Sequence, residues 1–356
     1  MLEKVTLNSI SKNLNKICFI SGKYMPGRCG VSDYIDLLMQ NLKSFGVESI
    51  HFSIDNLENL SPGKNALPMA ELYSLQFAPF TFSSSFLFHK KLIPLQDLLK
   101  DKNLHINFHE IWTGAYPFPP LRERLRGWLQ KSEICRFINA TKAKSITSSN
   151  SAAIDRLIKN DVEASYLYLF GNIPFCNKSV ISPEKKTLKV VFFGTLYPNF
   201  PYKRLINYLI TLSKLNKWTI KIILLGRQRE NYGVKKLLYF CELNKISVLK
   251  TGELKCGLIS EELQKCNMGV STTPYDVIGK SGATAAMLEH GLPVLAFDDE
   301  DTPKESLFIP DQFKDQVFLI NDHPSVEKLP QYIKKPRKPF FDGVAYTANK
   351  MLELVS

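Results

Sequence analysis

Residues 267–297, NMGVSTTPYDVIGKSGATAAMLEHGLPVLAF, predict a strand, a glycine-bearing loop, a helix and a second strand. The short apolar runs 268–272 and 292–297 suit buried strands. Between them Ser281 is a good N-cap residue, the alanines after it favour a helix, and Gly291 is placed to end that helix. This stretch is typical of one βαβ unit of a parallel sheet.

The loop before this helix has the features of an anion site. The backbone amides at a helix N-terminus point outward and the helix dipole favours negative charge there, so phosphate is the natural ligand. Ser281, Gly282 and Ala283 are therefore candidate binding residues, with Lys280 beside them. A second interpretation stays open, in which Gly282 and Ala283 only let the helix pack closely on a strand.

The composition suits two domains without a membrane span. The chain has 356 residues, 44% of them hydrophobic, and no apolar run approaches the roughly 18 residues that cross a bilayer. The N-terminus does not read as a signal peptide. The seven cysteines form no CxxC pair, which argues against a zinc site or a disulfide framework. We therefore expect a cytoplasmic protein with no bound metal.

The formal net charge of +12 leaves three interpretations open. It suits an anionic small ligand, or peripheral contact with the anionic inner face of a membrane, or only a solvated basic surface. No nucleic-acid-binding motif appears, so nucleic acid is not expected as a partner.

The first half predicts the opening of a doubly wound sheet. Residues 16–21, KICFIS, suit a strand, residues 31–42 have helical spacing of apolar side chains, and a second strand follows. Gly27 and Gly30 lie in the loop before this helix, which would face a ligand beyond the strand ends. The pattern lapses over residues 57–88, where no element can be assigned.

Residues 104–108 predict a strand that ends at His109 and Glu110. Parallel sheets bind ligands at the carboxyl ends of their strands. An imidazole there could hydrogen-bond a sugar hydroxyl or a phosphate, or act as a base near neutral pH. It could equally do no more than cap the strand.

A basic helix is predicted from Pro119 onward, PPLRERLRGWLQKSEICRFINA. Its apolar side chains lie on one side and its basic ones elsewhere: Leu121, Leu125, Trp128, Leu129, and Arg122, Arg124, Arg126, Lys131. Such a helix can lie on acidic lipid. We expect instead that the apolar side packs on the domain and the basic side faces water.

The second half predicts another parallel sheet. Residues 175–187 lose the hydrophobic pattern and read as a linker, and strands then alternate with helices over residues 188–297. We therefore expect an α/β protein with two Rossmann-like doubly wound domains facing a cleft.

These segments resemble the GT-B glycosyltransferases, most nearly the large family 4 of nucleotide-sugar-dependent enzymes. The segments that carry the resemblance are VVFFGTLYP at 190–198, Lys203-Arg204-Leu205, IILLGRQRENYG at 222–233, TGELKCGLISEELQKCNMGVSTTPYD at 251–276, GKSGATAAMLEHGLPVLAF at 279–297 and, in the first half, PGRCGVSDYIDLLMQNL at 26–42 and GNIPF at 171–175. The resemblance implies an acceptor domain at 1–180, a nucleotide-sugar domain at 181–340 and a final helix at 341–356 that crosses back to the first domain or packs on its own.

The resemblance also implies the reaction. A sugar would pass from a nucleotide diphosphate sugar to a glycan, a lipid-linked acceptor or another acceptor, without a metal. His109 would lie over the sugar, and Lys203, Arg204, Arg227 or Lys280 would offset charge on the departing diphosphate. The residues implied in donor binding are Gly30, Gly194, Thr195, Arg227, Leu254, Lys280, Ser281, Gly282 and Ala283.

One feature departs from the family pattern. Relatives usually carry two glutamates, at positions that correspond here to Ile278 and Ala286, while the nearby Asp276 and Glu289 are out of register. This absence motivates an alternative from another class, a non-catalytic GT-B protein that binds a glycan or partners an active enzyme. A dehydrogenase is disfavoured because the first glycine loop, PGRCGVSD, lacks the GxGxxG pattern.

Overall fold

The computed structural model describes residues 14–22, 29–54, 67–79, 89–114, 119–176, 186–228, 230–297, 309–320 and 323–355. Contacts among them divide the chain into two units, Met1–Tyr168 with Val344–Ser356, and Leu169–Gly343. Each unit has a six-stranded parallel sheet, so the predicted α/β class with two Rossmann-like domains is confirmed. The domain ranges 1–180, 181–340 and 341–356 stay predictions, and most of the predicted linker lies outside the described residues.

The first unit contains a parallel sheet in the strand order β2-β1-β3-β4-β5-β6. The strands are β1 Lys16–Ser21, β2 Glu48–Ser53, β3 Leu72–Phe77, β4 Leu104–Phe108, β5 Ser145–Ser148 and β6 Ser165–Tyr166. Its helices are α1 Gly30–Ser44, α2 His89–Leu99, α3 Leu121–Thr141 and α4 Ser151–Ile158. β4 has the bounds that the sequence predicts, and β6 contains only two residues.

β3 lies in the segment where the sequence assigned no element. Side chains alternate between the two faces of a strand, and in β3 Tyr73, Leu75 and Phe77 enter the hydrophobic core. The intervening Ser74 and Gln76 are also buried, on the other face. A strand with polar residues buried on one side lacks the clear apolar run that marks a central strand.

The second unit contains a parallel sheet in the order β12-β11-β10-β7-β8-β9. Its strands are β7 Thr187–Phe193, β8 Thr219–Leu225, β9 Ser247–Gly252, β10 Met268–Pro274, β11 Val294–Phe297 and β12 Val317–Leu319. Its helices are α5 Tyr202–Asn216, α6 Tyr232–Leu243, α7 Cys256–Lys265, α8 Gly282–Glu289 and α9 His323–Lys334. β7 and β8 are mostly apolar, as is typical of strands covered on both faces. β10 is also buried, although its second half contains the polar residues Ser271, Thr272 and Thr273.

The last helix, α10 Gly343–Val355, begins where the chain returns to the first unit. The Thr347 hydroxyl donates to the carbonyl of Tyr168 over 3.0 Å, and the rings of Tyr168 and Tyr346 meet edge to face. Among the described residues, no helix combines the length and apolar character needed to span a membrane.

The orientation predicted for α3 was wrong. Leu121, Leu125 and Trp128 are exposed by 79%, 57% and 62%, although we expected their side of the helix to pack on the domain. The buried side instead includes Gly127 and Gln130. The apolar residues of the buried side, Ile134, Phe137 and Ile138, come only in the second half of the helix. The apolar pattern of the first half therefore predicted the wrong face.

Candidate functional site

Three neighbouring strands of the second unit end in glycines that need a left-handed backbone. Gly194 follows β7, Gly226 follows β8 and Gly252 closes β9, with φ of +85°, +78° and +70°. Glycine adopts this region without the steric cost that a Cβ brings. The sharp turns bring the predicted Thr195, Arg227 and Leu254, which follow these glycines, to the carboxyl edge of the sheet, where parallel sheets bind ligands.

The N-terminus of α8 stands at the same edge, directly after β10 and a 3₁₀ turn. Ser281 is its N-cap, as predicted: its Oγ accepts the amide of Thr284 over 3.2 Å. The Thr284 hydroxyl also donates to Ser281 Oγ over 2.8 Å and lies 2.8 Å from the hydroxyl of Ser271 on β10. These hydroxyls tie the start of the helix to the strand beneath it.

The glycine loop after β7 touches this helix N-terminus. A Cβ placed on Gly194 would lie 2.8 Å from the Cβ of Ala283, so only glycine lets the loop approach so closely. A Cβ on Gly282 would meet only the Phe170 carbonyl oxygen, at 3.8 Å. The Ala283 side chain is therefore closely packed, whereas no atom packs closely beside the Gly282 α-carbon. Ligand binding by Gly282 and by the Ala283 amide stays a prediction.

The amides of the predicted anion site are not equivalent. The Ser281 amide already donates to the carbonyl of Ile278 over 3.0 Å, which corrects the expectation that it points at a ligand. Gly282 and Ala283 occupy the first two helical positions, whose amides have no acceptor within their own helix. These two amides remain as the candidate donors.

The predicted cationic residues are exposed. Lys203 and Arg204 lie in the first turn of α5, which has no acidic side chain, and Arg227 and Lys280 are also at the surface. A cation at a helix N-terminus opposes the helix dipole and typically costs about 0.3–1 kcal/mol. Two solvent-exposed cations in this turn are consistent with a role in binding an anion.

The positions of the two missing glutamates are buried. Ile278 and Ala286 are 3% and 0% exposed, and a Cβ on Gly171 would lie 2.5 Å from the Ala286 Cα. The out-of-register Glu289 is also buried, and its Oε1 accepts the amide of Gly171 over 2.9 Å. Glu289 therefore holds the chain at Gly171 through this hydrogen bond.

In the first unit His109 follows β4 and is partly buried. Its Nε2 lies 2.9 Å from the side-chain oxygen of Gln76, so Nε2 carries the proton and donates it. The ring also meets Tyr34 of α1 edge to face, which places the first turn of α1, and with it Gly30, at the same sheet edge. Gly27 lies outside the described residues.

A buried circuit of hydrogen bonds supports Gln76. Asn107 donates to the Gln76 oxygen over 3.0 Å and accepts the Thr147 hydroxyl over 2.9 Å. Because the Thr147 hydroxyl already donates its hydrogen to Asn107, it can only accept a hydrogen bond from Nε2 of His105, which lies 2.9 Å away. Ser74 closes the circuit, 2.9 Å from Nδ1 of His105 and 2.8 Å from the donating amide of Gln76.

Burial governs the protonation of both histidines. It lowers the pKa of His109 to about 4 and that of His105 to about 3, so both rings are neutral at physiological pH. In neutral His109 the proton lies on Nε2 and Nδ1 offers a lone pair. The ring can then accept a hydrogen bond from a hydroxyl, but it cannot supply positive charge. No element was predicted over β3, Leu72–Phe77, so Gln76 could not be identified from the sequence as the partner of His109.

Within the described ranges, no group of three or more His, Cys, Asp or Glu side chains could hold a metal ion. No family model matches the sequence, and no curated protein matches it.

Solved structures match over nearly the whole chain. Sucrose-phosphate synthase from Thermosynechococcus elongatus aligns with a TM-score of 0.55 and 10% identity, covering 96% of this chain and 94% of that one. The Anabaena protein Alr3699/HepE in complex with UDP and glucose aligns with a TM-score of 0.52 and 14% identity, covering 96% and 95%. This chain therefore has the GT-B glycosyltransferase fold, as the resemblance implied. A putative UDP-N-acetylglucosamine 2-epimerase from Listeria monocytogenes also aligns, with a TM-score of 0.50 and 11% identity over 95% and 94% of the two chains.

Proposed function

We propose that this protein is a glycosyltransferase that moves a sugar from a nucleotide diphosphate sugar to a glycan, a lipid-linked acceptor or another acceptor, without a metal. The observation that carries the proposal is the contact of Gly194 with Ala283, which joins a glycine loop to a helix N-terminus and leaves Gly282 open. The structure of HepE named above contains UDP and glucose, which is consistent with this donor class. We also propose a cytoplasmic location, consistent with seven free cysteines.

In the proposed reaction the bond from the anomeric carbon to the diphosphate breaks, and a bond to an acceptor hydroxyl forms. The departing diphosphate gains negative charge, and the proton that the acceptor hydroxyl loses passes to this diphosphate or to water. The amides of Gly282 and Ala283 would hydrogen-bond the diphosphate, while Lys203 and Arg227 would offset its charge. One such preorganised donor is typically worth about 3 kcal/mol in the transition state.

The proposed role of His109 follows from its protonation state. In the neutral ring the Nε2–H group donates a hydrogen bond to Gln76, so Nδ1 is the atom that can accept one. With a pKa of about 4 the ring is a weak base, so orienting a sugar hydroxyl suits it better than removing a proton. Gly30 belongs to the same edge of the first unit.

Binding is the first test of the donor site. Calorimetry with UDP, GDP and ADP and their sugar conjugates should identify one preferred nucleotide. Gly282→Val should abolish its binding without unfolding the protein, because a side chain there meets only one atom, at 3.8 Å. Gly257→Val, also in the first turn of a helix and with its nearest atom at 3.9 Å, is the control and should bind normally. Equal nucleotide affinity in the two variants would show that the donor does not bind at the N-terminus of α8.

Turnover tests the counter-charge. Lys203→Met should lower sugar transfer or donor hydrolysis by about 100-fold, in the range for loss of one charge-stabilising group. Lys214→Met, in the last turn of the same helix, is the control and should keep normal turnover. Full activity in Lys203→Met would exclude Lys203 from the mechanism.

The second candidate function is a non-catalytic GT-B protein that binds a glycan or partners an active enzyme. The observation that favours it is the burial of Ile278 and Ala286, at the positions where the family resemblance implies two glutamates, with Glu289 hydrogen-bonded to Gly171. A transferase should be stabilised by about 2.7 kcal/mol when its nucleotide sugar is present at 100 times the dissociation constant. A non-catalytic protein that no longer binds a nucleotide sugar should show no such stabilisation.

A further inference from the structure

Helix α3 presents an apolar stripe to solvent. Leu121, Leu125 and Trp128, spaced as i, i+4 and i+7, share one face of a helix that turns 100° per residue. They are 79%, 57% and 62% exposed, among the highest values for large apolar side chains in the described residues. We call these three residues the α3 stripe.

The stripe is exposed because the opposite face of the helix is fixed on the domain. A Cβ on Gly127 would lie 2.1 Å from the Thr113 carbonyl oxygen, so the helix backbone rests on that residue. Gln130 accepts the Thr113 amide over 2.9 Å, and Ile134 continues the buried side. Gly127, Gln130 and Ile134 project about 120–180° away from the stripe, so the stripe cannot rotate inward without breaking these contacts.

Arginines border the stripe. Arg124 lies on one side of it along the helix surface and Arg122 and Arg136 lie on the other, and all three are exposed. An apolar line with a Trp, flanked by arginines, has the arrangement of helices that lie in the membrane interface. Trp is enriched at the depth where lipid headgroups meet acyl chains.

We propose that the α3 stripe docks this protein on an anionic lipid bilayer. Two physical arguments favour lipid over a protein partner. Leu121 to Trp128 extends only about 10 Å along the helix, whereas a stable protein interface buries about 800 Å² on each partner. A bilayer needs no matching surface, because a few inserted side chains add to the electrostatic attraction of the arginines. The docking does not depend on the transferase proposal, although a lipid-linked acceptor would be found at such a surface.

Vesicle flotation with the full-length protein tests the docking. We expect binding to vesicles of phosphatidylcholine with about one third phosphatidylglycerol, and little binding to phosphatidylcholine alone. Each basic residue near an anionic surface contributes about fivefold in affinity, so the variant Arg122→Gln/Arg124→Gln/Arg136→Gln should bind about 100-fold more weakly. Added salt should weaken wild-type binding in the same direction.

The apolar contribution has a matched control. Leu121→Ser/Leu125→Ser/Trp128→Ser should lower vesicle binding at least about tenfold. Leu215→Ser/Tyr239→Ser/Leu243→Ser, which changes side chains 76%, 58% and 61% exposed on other helices, should bind like wild type. Because all six side chains are exposed, both variants should keep the wild-type circular dichroism spectrum.

Fluorescence locates the contact. With Trp112 and Trp218 replaced by Phe, brominated lipid should quench Trp128 and shift its emission to shorter wavelength. Absence of wild-type binding, or equal loss in the control variant, would overturn the proposal. A dimer that dissociates in Leu121→Ser/Leu125→Ser/Trp128→Ser, with no change in vesicle binding, would assign the stripe to a second copy of the chain and would also overturn it.

Discussion

Substituting Gly194 by alanine should separate the loop after β7 from the start of α8. The new Cβ meets two costs: a left-handed backbone at φ +85°, and a distance of 2.8 Å to the Cβ of Ala283. The first typically costs about 1–2 kcal/mol and the second, as overpacking, about 1–3 kcal/mol. We therefore expect Gly194→Ala to lower the free energy of unfolding of the second unit by about 2–5 kcal/mol.

Gly252 provides a control in which an added Cβ meets only the cost of the left-handed backbone. Gly252 has φ +70° at the end of the neighbouring β9, and a Cβ there would meet nothing within 4 Å. Gly252→Ala should lower the free energy of unfolding by about 1 kcal/mol. The difference between the two variants then measures the contact with α8.

A double-mutant cycle isolates that contact. Ala283→Gly removes the opposing Cβ, so in the double variant Gly194→Ala/Ala283→Gly the added methyl group has space. The coupling free energy should be favourable by about 1–3 kcal/mol. Nucleotide affinity, weakened in Gly194→Ala, should recover in the double variant.

Urea denaturation followed by the emission of Trp218 reports on the second unit, with Trp112 and Trp128 replaced by Phe. If Gly194→Ala costs no more than Gly252→Ala, or if the coupling is zero, the loop and the helix do not touch as described. The donor site would then lose the geometry on which it rests.

Three further predictions concern stability. Gly171→Ala puts a Cβ 2.5 Å from the backbone of α8 and should cost about 3 kcal/mol or more in urea denaturation, against about 1 kcal/mol for Gly46→Ala, where φ is +79° and no atom lies within 4 Å. Burial lowers the pKa of His105 to about 3, so between about pH 6.5 and pH 3 the unfolded state binds a proton that the folded state does not. The free energy of unfolding should therefore fall as the pH drops through this range, by up to about 1.4 kcal/mol per pH unit. Urea denaturation at pH 7 and pH 5 measures this fall, which His105→Gln should reduce. Arg337→Met removes the guanidinium that binds three carbonyls at the end of α7 and should lower the free energy of unfolding by about 2 kcal/mol, whereas Lys338→Met, which removes a largely exposed ion pair, should change it by less than about 1 kcal/mol.

Local signals made part of the second unit predictable. The N-cap at Ser281 and the stop at Gly291, with φ +72°, depend on residues within one turn of each, so the sequence alone specified α8. The alternation of apolar strands with helices likewise specified a parallel sheet, because covered strands must be apolar on both faces.

The polar core of the first unit was not predictable by this reasoning. Ser74 and Gln76 weaken the apolar pattern of β3, and the partners that make their burial favourable, among them His105 and Asn107, lie about thirty residues away. The same separation hid the protonation state of His109, which depends on Gln76. A sequence pattern reports which side chains are apolar, but not which buried polar groups satisfy one another.

Two parallel α/β sheets and the candidate residues at their edges followed from the amino-acid pattern alone. Three features became apparent only from the packing of the folded chain: the open space at the start of α8, the hydrogen bond of Glu289 to Gly171, and the exposure of the apolar side of α3. Each of these outcomes depends on the close approach of backbones from distant parts of the chain. Local periodicity carries no information about such an approach, because the space beside a glycine is set by the element that packs against it.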